Sequence, residues 1–88
     1  MADPILNYVS LLGSQVSATF ENFPTGSRVV VVNKTSGQAE PAPVTELGQA
    51  TSGPLGINLP SGFPSGDFYL KGLDASGGYL AESVVFHF

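Results

Sequence analysis

One histidine, His87, and ten serines are the raw material for nucleophilic catalysis in this chain. A Ser–His–acid triad needs a base held against a serine and oriented in turn by a carboxylate. His87 lies in the run Phe86-His87-Phe88, and the alternation of a strand turns it away from both aromatics and toward solvent. No Gly-x-Ser-x-Gly turn presents a strained nucleophile, and there is no second histidine with which to share a metal. His87 reads as a surface residue at a strand end, and the residues predict no catalytic group.

Metal and phosphate chemistry fare no better. Asp67 and Asp74 flank one segment, but seven residues at roughly 3.3 Å each set them more than about 20 Å apart along a strand, too far to share a calcium ion. Each is expected to serve a turn. Glu40 and Glu46 have no Asp-x-Asp or EF-hand spacing around them, and no cysteine is present to supply a thiolate. Gly26, Gly37 and the glycines between 48 and 56 are followed by no lysine at phosphate-loop spacing and open no helix. Asn33-Lys34-Thr35 fits a glycosylation sequon and, with no export signal, reads as a chance match. No cofactor and no metal is expected.

With 88 residues the chain makes one domain, spanning 1–88. The apolar content of 42% is ordinary for a folded protein. The charged content of 11% is well under the roughly 25% of typical soluble domains. A surface so poor in charge is weak insurance against association and suits a domain covered by neighbours or displayed outside a cell, or equally a small β-domain that carries few charges because it is rich in turns. Three cations, Arg28, Lys34 and Lys71, stand against seven carboxylates, and they form no basic stripe, which argues against nucleic acid. The apolar stretch Ile5 to Leu12 is broken by Asn7, Tyr8 and Ser10 and is too short for a membrane span. Nor does it follow a basic segment, as a signal peptide would. If Met1 is the natural start, the protein is used without export; if it was added to an excised domain, that inference lapses.

Glycine and proline punctuate the chain, and no window has 3.6-residue periodicity with caps, so no substantial helix is expected. Short runs between turns predict strands. Ile5 to Leu12 is the first. Gln15 to Phe20 alternates, with Val16, Ala18 and Phe20 on one face. Asn22 to Ser27 is a turn. Arg28 to Asn33 holds four consecutive valines, Val29 to Val32, as a central strand touched on both faces would. Lys34 to Pro43 reads as a mobile loop, with prolines that would blunt a sheet edge. Val44 to Leu47 and Leu55 to Leu59 are short strands around a Gly/Ser turn. Pro60-Ser-Gly62 and Pro64-Ser-Gly66 predict two successive tight turns. Asp67 to Leu73 alternates, Phe68, Leu70 and Gly72 facing one way. Asp74 to Gly78 is a hairpin loop, and Tyr79 to Phe88 is one closing strand ending on Val84, Val85, Phe86 and Phe88. The expected fold is an antiparallel β-sandwich of about seven short strands, of immunoglobulin-like form.

The segment LPSGFPSGDFYLKGLDASGGYLAESVVFHF, residues 59–88, resembles the closing hairpin of bacterial, fungal and phage immunoglobulin-like domains. The likeness rests on Gly66, Phe68, Tyr69, Leu70, Asp74, Gly77, Ser83, Phe86 and Phe88, and Gly13 to Asn33 is similar to the second and third strands of such domains. It departs from antibody domains in having neither a Cys pair nor a Trp. The resemblance implies a fold and leaves function nearly open, because such sandwiches host many roles.

Most aromatics (Phe20, Phe23, Phe63, Phe68, Phe86, Phe88) fall on inward faces and read as core, not as a carbohydrate platform. Tyr69 and Tyr79, on the two strands of one hairpin, are expected to pair across its outer face and to form a contact patch. Val30 and Val32 join them if that face of the valine strand is open. The expectation is a non-enzymatic domain acting through a protein partner, a capsid shell or another copy of itself. The specific form is an accessory virion protein, decorating or cementing the capsid of a tailed bacteriophage, and located in the virion. The alternative is a module excised from a secreted or cell-wall bacterial protein, extracellular, acting in adhesion, carbohydrate binding or as a spacer.

Overall fold

The computed structural model of the protein describes residues 3–88. It holds eight strands: β1 (Ile5–Leu12), β2 (Gln15–Glu21), β3 (Arg28–Asn33), β4 (Ala39–Glu46), β5 (Gly53–Asn58), β6 (Asp67–Leu73), β7 (Tyr79–Glu82) and β8 (Phe86–His87). Every pairing is antiparallel. One sheet runs β1-β2-β5; the other runs β4-β3-β6-β7, with β8 beside β6. The two sheets face one another as an antiparallel β-sandwich.

The inward residues of the two sheets make one core. Val16, Ala18 and Phe20 of β2 and Ile57 of β5 meet Val29 and Val31 of β3 and Phe68 and Leu70 of β6. Burying each of the larger side chains contributes roughly 1.5–3 kcal/mol. The alternation of β2 and β6 predicted those faces correctly. Phe23 belongs to the turn after β2, yet its ring is buried against Phe20, with centroids 5.3 Å apart. Ser27, also fully buried, donates its hydroxyl to the Pro24 carbonyl, so that turn folds into the core with its polar group satisfied. At the opposite end Phe63 covers Phe68 at 5.0 Å and meets Phe88 at 5.7 Å.

Four expectations need correction. Residues 39–43 are not loop: β4 begins at Ala39 and carries Pro41 and Pro43. It is an edge strand, where a missing N–H costs no ladder bond, and its register against β3 slips between Val30 and Val32 to accommodate them. The strands around the Gly/Ser turn, β4 and β5, lie in different sheets, so 47–52 crosses between layers, and β5 runs from Gly53 to Asn58. The closing strand is broken in two. The Leu70 N–H is met by the Ser83 hydroxyl, at 2.9 Å, and pairing resumes at Phe68 with Phe86. Val84 and Val85 are thereby pushed outward, 69% and 46% exposed, and are not core. Lastly, only the first Pro-Ser-Gly closes a tight turn, with the Phe63 N–H donating to the Pro60 carbonyl. Gly66 instead exchanges two backbone bonds with Phe88 and extends the β6–β8 ladder.

Candidate docking surface

The outer face of the five-stranded sheet collects the residues that the sequence nominated and several that it did not. Pairing sets them in three rows. The first reads Glu46, Arg28, Leu73, Tyr79 across β4, β3, β6 and β7. The second reads Val44, Val30, Lys71, Glu82, and the third Ala39, Val32, Tyr69. Neighbouring strands lie about 4.8 Å apart and alternate residues about 7 Å apart, so the patch is roughly 14 Å on a side.

Its floor and its relief differ. Val30 and Val32 are only 7% and 2% exposed although they point away from the core, flanked by Lys71 and Tyr69 on β6 and by Val44 and Ala39 on β4. The two valines are therefore a packed floor with little area of their own to offer, as a strand covered on both faces requires, and the condition for their joining the contact patch is not met. The relief comes from Tyr79, 59% exposed, and Val44, 45% exposed, with Tyr69 and Leu73 half-buried between.

Tyr69 and Tyr79 share this face but do not pair. Tyr69 is opposite Val32, and Tyr79 is opposite Leu73, four residues further along β6; Leu80 is the extra residue where the β6–β7 register slips. Lys71 lies between them, its Nζ 5.9 Å from the centre of the Tyr79 ring and within cation–π reach. Cross-strand placement also sets Arg28 beside Glu46 and Lys71 beside Glu82, with Lys71 in the middle row between the two tyrosines. The face therefore mixes exposed aromatic and aliphatic side chains with two opposite-charge neighbour pairs.

Charge is distributed unequally between the two faces. Arg28 and Lys71 lie on this sheet, and Lys34 follows it, its N–H donating to the Asp67 carbonyl. The strands of the other sheet carry one charged residue, Glu21. A shallow open groove there, lined by Thr19, Phe20, Glu21, Ser52, Gly53 and Pro54, contains no histidine and no cation.

His87 points outward as its alternation requires, and its Nδ1 donates to Oδ1 of Asp67 at 2.9 Å. Asp67 therefore faces His87 across the β6–β8 pairing and does not serve a turn. Asp74 does: its Oδ1 accepts the N–H groups of Ser76 and Gly78. The Asn33 side chain likewise accepts the N–H groups of Thr35 and Ser36, which gives that asparagine a turn-forming role. Among the described residues, no three of His, Cys, Asp and Glu are grouped to hold a metal ion, and no helix is long and apolar enough to cross a membrane. No family model, curated protein or solved structure matches this chain.

Proposed function

We propose that this is a non-catalytic structural domain that docks on a protein partner through the outer face of its five-stranded sheet. The observation that carries the reading is the Tyr79–Leu73–Tyr69–Val44 relief over a valine floor, with Arg28/Glu46 and Lys71/Glu82 set as opposite-charge neighbours. A patch of this size is the centre of an interface and not the whole, since a standard interface takes about 800 Å² from each partner. The partner must therefore be large enough to engage the surrounding turns as well. Sparse charge over the rest of the surface fits a subunit bounded by neighbours.

The role proposed is that of an accessory subunit on a virion shell, a capsid decoration or cementing protein of a tailed bacteriophage. Many copies on a repeating lattice would let a modest single contact hold by avidity. The test is to purify virions from cells producing the phage that carries this gene, by density gradient. The proposal expects the chain in the particle fraction at a fixed ratio to the shell protein. Recovery only from the soluble, envelope or secreted fraction would refute it.

A further inference from the structure

The four sheet edges of this sandwich are not equally guarded. β4 carries Pro41 and Pro43, β5 carries Pro54 with Gly53 and Gly56, and β7 is four residues long and ends at a break. Prolines, short strands and irregularities are the devices that stop an edge from pairing with another chain. β1 has none of the first two. It is eight residues long, Ile-Leu-Asn-Tyr-Val-Ser-Leu-Leu, with no proline and no charge, and among the described residues only β2 pairs with it. Ile5, Val9 and Leu12 on it are 40%, 60% and 77% exposed.

The strand is also complementary to itself. Laid antiparallel against a second copy about a centre between Tyr8 and Val9, it sets Ile5 opposite Leu12, Leu6 opposite Leu11, Asn7 opposite Ser10 and Tyr8 opposite Val9. Apolar residues meet apolar ones and the amide meets the hydroxyl.

The faces agree as well, and for a specific reason. In a regular strand residues 5 and 12 point to opposite sides, and such a pairing would clash face with face. Here the register slips between Tyr8 and Ser10, and Val9 is the extra residue. Ile5, Asn7, Ser10 and Leu12 consequently lie opposite Glu21, Thr19, Ser17 and Gln15 on the outer face, while Leu6, Tyr8 and Leu11 lie opposite Phe20, Ala18 and Val16 on the inner face. Each proposed pair up to the bulge is outer with outer or inner with inner. The bulge is what makes the faces of two copies match.

We infer that β1 is a self-association edge, pairing antiparallel with β1 of a second copy across a two-fold axis at Tyr8/Val9 to join two three-stranded sheets into one of six. Each copy has a formal charge of −4, but the seam itself carries none, so no like charges face one another across it. A single strand pair is a small interface, so the dimer forms and dissociates with concentration. The inference does not rest on the docking face above, which lies on the other sheet.

Sedimentation velocity across a concentration series from micromolar to millimolar tests it, with circular dichroism as the control for folding. The wild-type chain is expected to shift toward a dimer. Ile5→Lys and Leu12→Glu, at exposed positions, should each weaken the dimer by ~10-fold or more, since each removes two symmetry-related apolar pairs. Mixing the two variants should restore association, because the register sets the new lysine of one chain opposite the new glutamate of the other. Tyr79→Lys should leave the dimer intact. A wild-type chain monomeric throughout the series would overturn the inference. So would a dimer insensitive to both β1 variants, or variants that each dissociate but do not complement on mixing.

Discussion

A Cβ placed on Gly72 of β6 would stand 2.6 Å from the ring of Phe23, closer than any real side-chain contact. The glycine faces inward like Phe68 and Leu70, and the ring from the turn after β2 occupies the space it leaves. The two residues are a matched pair, one large because the other is absent.

Gly72→Ala is therefore expected to destabilise the domain by about 1–3 kcal/mol through overpacking against the buried Phe23 ring. Phe23→Leu alone should also destabilise, yet the double variant should be more stable than the sum of the two losses implies. Urea unfolding of all four proteins measures this coupling. Additive losses would mean that the two side chains do not compete for one space.

Ser83 presents a different kind of dependence. Its hydroxyl accepts the Leu70 N–H and donates to the Val84 carbonyl, standing in for a strand that has broken away. Ser83→Ala should cost about 1–3 kcal/mol because it leaves a buried N–H without a partner. Ser83→Thr, which keeps the hydroxyl, should cost less. Hydrogen exchange at the Leu70 amide reports the effect directly, and the alanine variant should exchange faster there.

The Asp67–His87 pair is close but wet, with both side chains more than half exposed. Asp67→Ala should change stability by under about 0.5 kcal/mol, as exposed ion pairs do. A larger loss in urea unfolding would show that the pair anchors β8 more firmly than its exposure allows.

These contrasts explain which parts of the fold were legible. The faces of β2 and β6 followed from strict alternation, and the valine run marked β3 as covered on both sides. Pro41 and Pro43 concealed β4, because a proline argues against a strand unless it is known to lie at an edge, and edge position is a property of the assembled sheet. The break at Ser83 was hidden for a similar reason: Val84-Val85-Phe86 is apolar enough to look like continuous strand, and only pairing with β6 shows that two of the three are pushed outward. For the proposed docking face, Tyr69 and Tyr79 were legible as outward-facing aromatics on one hairpin. Their separation by Lys71, and the arrival of Val44, Leu73 and Arg28 beside them, depend on register across four strands, which local pattern does not encode.

On the proposed docking face, Tyr79 is the most exposed of the anchors and lies outside the core cluster. Tyr79→Lys should therefore leave the unfolding midpoint within about 0.5 kcal/mol of wild type. A large loss would move Tyr79 from contact surface to scaffold.

The most direct test of the account is the particle-bound fraction of that same variant. Tyr79→Lys should release the chain from the virion by at least ~10-fold, as truncating or charging a central anchor does. Gln15→Lys, on the outer face of the opposite sheet, should bind as the wild type does. If Tyr79→Lys remains bound at wild-type ratio, or Gln15→Lys is the variant released, the five-stranded face is not the contact surface and the central claim is wrong.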